Sequence, residues 1–323
     1  MSWPGFAASL ALLTAQAPLV FPTSAEIVYV VASVTDGSGQ PVRGLKAKDF
    51  TVREDGKPRD VATFASFADA AGGAGAAWPV DFVMLLDTSG SMREDLRRAR
   101  HAAVEFAGSI PSVRGRNIVS FNSKIRVWPY EETGPAAVLD RILAEDETGG
   151  TYLFDAVLQS IPRVANDPTR RPIIVALTDG ADTGALLRAA ESMDPKERAR
   201  FLRGLPRADV AKIRSAAAAE TAKALQNESV TFYAIYFAKH DIHAHGRDVL
   251  KTLAGATGGL VVDGGARDLT TQFARIRNDL AAQYVLGFAP APSSASRVHK
   301  LKITVAAKGA KVRHRLAYET KTR

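Results

Sequence analysis

Beyond Glu26 the chain first follows a two-residue period. Ile27, Tyr29, Val31 and Ser33 alternate with Val28, Val30, Ala32 and Val34, so the strand is apolar on most of both faces and reads as central. Turn chemistry at Asp36-Gly37-Ser38-Gly39 follows it. A second turn, Glu54-Asp55-Gly56-Lys57-Pro58, separates short strands at 50–52 and 61–67. Residues 68–77 are almost all Ala and Gly, which bury little, and mark a linker.

After Pro79 the period changes. Residues 80–86 form a nearly continuous apolar run, as in a strand buried on both faces. A helix is expected over 95–109, with Leu96, Ala99, Ala103, Phe106 and Ala107 on one stripe. Further strands are expected at 118–121, 124–128, 173–177, 230–236 and 260–262, and helices at 136–144, 153–164, 249–254 and 269–280. This alternation predicts an α/β fold: a doubly wound, mostly parallel sheet with helices on both faces. Residues 184–227 are long for one connection. Asp194-Pro195-Lys196-Glu197 starts one helix, Gly204 and Pro206 stop it, and 208–225 forms another. This insertion reads either as a spacer on the sheet edge or as an element that shapes partner choice.

From Tyr284 the two-residue period returns. Lys300, Lys302 and Thr304 alternate with Leu301, Ile303 and Val305; Lys311, Arg313 and Arg315 alternate with Val312, His314 and Leu316. The expectation is a hairpin with one apolar and one cationic face. Because a lone hairpin is marginal, it is expected to join the strands of 26–67 in a small β-sandwich-like unit. The expected organisation is thus an N-terminal segment (1–25), a β unit (26–68), a linker (69–78), the α/β domain (79–283) and a basic hairpin (284–323).

Charge changes this picture little. The net charge is +8, yet residues 1–283 hold 33 basic and 33 acidic side chains. The excess is in the last 40 residues, with nine basic against one acidic, so no nucleic-acid partner is expected for the main domain. The absence of cysteine excludes disulfides, thiolate catalysis and Cys-ligated metals. No charged residue precedes Glu26, and an apolar run over 6–17 ends in Ala15-Gln16-Ala17, resembling a signal peptide. Pro4, Gln16, Pro18 and Pro22 crowd any spanning helix. An extracytoplasmic location (periplasmic, secreted or envelope-associated) is the expectation, against a disordered terminus or an uncleaved anchor.

Candidate chemistry sits at strand ends, where open α/β sheets bind ligands. Strand 80–86 runs into Asp87-Thr88-Ser89-Gly90-Ser91, whose alternate residues offer one carboxylate and two hydroxyls. Strand 173–177 ends in Thr178-Asp179-Gly180, and Gly149-Gly150-Thr151 precedes a helix. Two carboxylates and three neutral oxygens, without nitrogen or sulfur, match a hard divalent cation with a position left for an outside ligand.

These three segments, in this order and spacing, resemble the von Willebrand factor A-type (VWA) domain and its metal-ion-dependent adhesion site, over roughly residues 79–283. The resemblance implies that Ser89 and Ser91 hold Mg²⁺ (or Mn²⁺ or Ca²⁺) directly and Thr151 directly or through water. Asp87 and Asp179 would act mostly through waters, and the open position would take a carboxylate of a protein partner. Asp155 and Asp182 lie nearby in sequence and are expected around the ligands rather than among them. Gly44-Leu45-Lys46-Ala47-Lys48-Asp49-Phe50, the Glu54-Asp55-Gly56 turn and Tyr284-Val285-Leu286-Gly287-Phe288 are similar to a family of exported bacterial VWFA-related proteins.

The resemblance implies a non-enzymatic binding or adhesion protein. Two alternatives remain: a binder of anionic surfaces or nucleic acid through the basic hairpin, and a metal-dependent enzyme. The second lacks a G-x-S-x-G or P-loop motif, and no histidine or spare carboxylate is placed as a base. His240, His243 and His245 have spacing that can bind Zn²⁺ but fall in an expected loop.

Overall fold

A computed structural model describes residues 27–67, 79–110, 112–145, 149–164, 167, 170–238, 245–291 and 297–320. The expected signal segment, the whole linker, His240 and His243 lie outside the described residues.

The central sheet grows from the continuous apolar runs. It contains β5 (Val80–Asp87), β6 (Ser112–Phe121), β7 (Ile125–Pro129), β8 (Arg171–Thr178), β9 (Thr231–Tyr236) and β10 (Val261–Asp263), in the order β10-β9-β8-β5-β6-β7. Only β7, on an edge, runs antiparallel. Every residue of β5 and β8 is buried, because both faces of the sheet carry helices. Successive β5 side chains point to opposite faces. Phe82, Met84 and Leu86 pack with α1 (Arg93–Ser109), α2 (Gly134–Ala144) and α8 (Leu269–Ala281). Val83 and Leu85 pack with α3 (Leu153–Val164), α6 (Arg207–Asn227) and α7 (Gly246–Thr257). Two shorter helices, α4 (Gly184–Ala189) and α5 (Pro195–Gly204), lie between β8 and α6.

The chain leaves β5 for β6 on one side and later returns to β8 on the other. The crevice beyond the carboxyl ends of β5 and β8 is therefore the switch point of the sheet.

Strands from the two flanks of the chain form two antiparallel sheets. One has the order β13-β1-β11-β4 and the other β14-β12-β2-β3. Here β1 is Val28–Thr35, β2 Phe50–Glu54, β3 Lys57–Arg59, β4 Thr63–Ser66, β11 Gln283–Phe288, β12 Arg297–Val305, β13 Lys311–His314 and β14 Ala317–Thr320. They enclose a separate core that includes Val30, Phe50, Val52, Tyr284, Leu286, Leu301 and Ile303. As its pattern implied, β1 is central, flanked by β11 and β13.

The expected cationic hairpin does not form. β12 pairs with β2 and β14, whereas β13 crosses to pair with β1 in the other sheet. The cationic row breaks with it. Lys300 and Lys302 are exposed, but Arg315 is buried and donates to the carbonyls of Gln226 (3.0 Å) and Tyr29 (2.7 Å) and to Ser229 Oγ (2.6 Å). Arg313 donates to the carbonyls of Gly258 (3.0 Å) and Gly259 (2.9 Å) and pairs with Asp279. Alternation along a strand specifies which residues share a face, not what covers that face, and here the central domain covers it.

Asp279 also accepts from Ser33 Oγ (3.1 Å) and Tyr233 Oη (2.8 Å). Beside it Arg171, the first residue of β8, donates to Leu280 O (2.7 Å) and Gln283 Oε1 (2.8 Å), and its guanidinium stacks 3.7 Å from the Phe67 ring centroid. Burial pushes its pKa down to about 10. The flanking sheets thus dock at the amino end of the central strands, opposite the crevice.

Candidate metal centre

Asp87 ends β5 and is completely buried. Its Oδ2 accepts from Thr178 Oγ1 (2.6 Å) at the end of neighbouring β8, and its Oδ1 accepts from the Ser89 backbone N–H (3.1 Å). That second bond is an Asx turn, in which an Asp side chain accepts from the backbone two residues on. It reverses the chain so that Ser89 and Ser91 lie side by side, their hydroxyl oxygens 3.2 Å apart. Ser91 Oγ then donates to Asp179 Oδ2 (2.7 Å). Four of the five expected residues are therefore linked in one run of hydrogen bonds from β5 to β8.

The neighbouring loops hold this arrangement from both sides. Thr88 is tied to β6, with its N–H and hydroxyl both donating to Phe121 O (2.8 and 3.2 Å). Asp179 Oδ1 accepts from the Ala181 N–H (2.9 Å). Gly180 lies at φ +73°, and a Cβ there would sit 2.4 Å from Gly246 O, so the start of α7 packs directly on this turn.

Thr151, the fifth residue, is buried in the loop before α3. Its N–H donates to Thr183 Oγ1 (2.9 Å) and its carbonyl accepts from the Thr183 N–H (2.7 Å). Thr183 was not singled out in the sequence. Its role follows from the chain turning back beside Thr151, a long-range contact that no local pattern encodes. Thr178 was visible only as part of its segment, and the structure makes it the clasp on Asp87.

Asp182 and Asp155 do other work. Asp182, fully buried, accepts from the backbone N–H groups of Phe154 (3.1 Å) and Ala185 (2.7 Å), joining the first turns of α3 and α4. Burial raises its pKa. Asp155 pairs with Arg188 of α4. His245 is exposed at the start of α7.

The donor chemistry fits a hard divalent cation. Desolvation, and then the charge of Asp179, push the pKa of Asp87 up to about 7. Two carboxylates sharing a buried crevice need a counter-charge, and the hydroxyls between them are neutral oxygen donors of the kind Mg²⁺ accepts. Among the described residues, no group of three or more His, Asp or Glu side chains is placed to hold a metal. A site here would depend on hydroxyl oxygens as much as on carboxylates.

Residues 82–181 match the family model of the von Willebrand factor type A domain. No curated protein matches the chain. Among solved structures it is similar to a von Willebrand factor type A protein from Catenulispora acidiphila, at 14% identity and TM-score 0.42 over 91% of this chain and 74% of that one. It is similar to the vWF domain of the type V pili tip protein Mfa5 from Porphyromonas gingivalis, at 14% and 0.44 over 64% and 97%. A third is proximal thread matrix protein 1 from the mussel byssus, solved with a zinc-occupied MIDAS motif, at 14% and 0.43 over 67% of this chain and 49% of that one.

Proposed function

We propose that the protein is a non-enzymatic, extracytoplasmic binding or adhesion protein whose crevice recognises a carboxylate of a protein partner through a divalent cation. The observation that carries this reading is the chain of bonds running from Asp87 through Ser89 and Ser91 to Asp179 at the switch point of the sheet. Ser89, Ser91 and Thr151 would hold the cation through their hydroxyls, with Asp87 and Asp179 supplying charge. Mg²⁺ is the first choice, with Mn²⁺ and Ca²⁺ as alternatives. Once bound, the cation supplies an electrophilic position for an outside carboxylate.

The residues around it supply positioning. Thr178 and the Ser89 N–H fix both oxygens of Asp87, while Thr183 fixes the Thr151 backbone. The hydroxyls and carboxylates gathered here are the donors a bound cation needs, which supports binding as the chemistry of the crevice. Among the described residues no helix is long and apolar enough to cross a membrane. The export reading rests on the apolar segment ahead of Glu26.

Isothermal titration calorimetry with Mg²⁺ and Mn²⁺ tests the reading. Wild type is expected to bind one ion and Asp87→Ala none; a wild type that binds neither metal defeats it. The alternative reading, an anionic surface gripped by the basic tail, is weakened because Arg313 and Arg315 are turned inward.

A further inference from the structure

The insertion between β8 and α6 begins at the metal crevice. Thr183, whose hydroxyl holds Thr151, is followed at once by α4. At the far end of α4, Arg198 of α5 donates to the carbonyls of Ala190 (3.1 Å), Glu191 (2.9 Å) and Met193 (3.4 Å). Arg198 thereby satisfies the open end of α4 and fixes α5 against it. A cleft of about 470 Å³ runs along this junction, from Tyr152, next to Thr151, past Asp155 and Leu187 to Arg198.

The helix α5 is unusual for a globular domain. It buries none of its residues, although its first turn is well made: Asp194 caps it, accepting from the N–H groups of Lys196 (2.8 Å) and Glu197 (3.1 Å). A packed helix owes most of its stability to an apolar face, and Phe201, Leu202 and Leu205 are only half-buried here. Residues 184–207 carry six basic side chains against three acidic. Lys196, Arg200, Arg203 and Arg207 are exposed and have no ion-pair partner among the described residues. Elsewhere the central domain is balanced in charge, so this excess stands beside a crevice of opposite character.

We propose that the exposed face of α5, with the hollow lined by Arg200, Phe201 and Leu205, forms the second half of the partner site, taking an acidic segment of a protein whose neighbouring carboxylate enters the metal crevice. The inference rests on the function proposed above and names the partner's chemistry. Uncompensated guanidinium groups flanked by half-buried apolar residues suit an acidic polypeptide with apolar side chains. A polyphosphate chain would leave Phe201 and Leu205 without partners. Opposite charges along the approach also steer association.

Fluorescence anisotropy tests this, using a labelled peptide rich in Asp, Glu and Leu with Mg²⁺ present. The variants are Arg200→Glu with Arg203→Glu, and separately Asp87→Ala. Charge reversal is expected to weaken peptide binding about tenfold or more while calorimetric Mg²⁺ affinity stays unchanged. Asp87→Ala is expected to lose the Mg²⁺-dependent part and keep a weaker, salt-sensitive part. Peptide binding that ignores the charge reversal overturns the α5 site and leaves the metal reading standing. Binding weakened by charge reversal but indifferent to Mg²⁺ in wild type overturns the metal reading and keeps α5 as the contact surface. Tighter binding of a single-stranded oligonucleotide of equal charge overturns the assignment to an acidic protein.

Discussion

Asp279 ties the flanking sheets to the central domain. It is 5% exposed, sits near the end of α8, and joins three elements: Ser33 of β1, Tyr233 of β9 and Arg313 of β13. Replacing it with Ala removes an ion pair and leaves the buried Tyr233 hydroxyl without an acceptor, although Gln283 Nε2 still donates to that oxygen (2.8 Å). Breaking a buried charge pair costs about 3–5 kcal/mol. The Arg313 side chain is 28% exposed and keeps two carbonyl partners, which places the expected cost near the lower end. Orphaning the tyrosine proton adds about 1 kcal/mol or more. We therefore expect Asp279→Ala to lower stability by about 3–4 kcal/mol in urea unfolding followed by circular dichroism. Asp279→Asn, which retains one acceptor, should cost about half as much. A double-mutant cycle with Arg313→Ala should return a coupling of about 1–2 kcal/mol. Mg²⁺ affinity should not change, because Tyr233, the member of the cluster on β9, pairs with Val175, which lies four residues and about 13 Å before Asp179 at 3.3 Å per residue. A cost below about 1 kcal/mol, or zero coupling, would refute the reasoning.

Three further outcomes are expected. His314 accepts the Ile303 N–H at Nε2 (3.0 Å) and donates from Nδ1 to Arg315 O (2.6 Å), and burial lowers its pKa. Its contribution is therefore complete above the unfolded value of about 6.5 and shrinks as pH falls from there toward the lower folded value. Wild type should lose stability relative to His314→Leu on going from pH 7.5 to 5.5, and parallel curves for the two proteins would contradict this. Gly180→Ala should cost at least about 1–2 kcal/mol from its left-handed backbone alone and should also weaken Mg²⁺ binding. Gly255→Ala, inside α7 with open space around it, should be neutral or slightly stabilising in the same melts.

The central sheet was legible because its strands are buried on both faces and its helices carry apolar stripes; both signals are local. The crevice was legible for a related reason. Asp87, Ser89 and Ser91 are close in sequence, and the strand ends that bring Asp179 beside them could be read from the apolar runs. What failed was the tail. Lys311, Arg313 and Arg315 show the alternation of a solvent-facing strand, and adjacent strands usually pair. Nothing local records that β13 crosses to β1 or that Gly258, Gly259 and Asp279 wait there as partners. Thr183 escaped for the same reason, since its contact with Thr151 spans 32 residues. The excess charge of α5 was hidden by averaging over a balanced domain.

The position of the flanking sheets also sets how the molecule meets a mechanical load. Ile27 and Glu319 line one cleft at the amino end of the central strands, so both ends of the described chain emerge on the side away from Asp87. An attachment made through either end would present the crevice outward. Tension between that attachment and a captured partner would pass through the β1–β11 ladder and the Asp279 cluster together. Arg313 and Arg315 would then serve as rivets, and the rupture force of the tethered protein would depend on residues far from the bond being pulled.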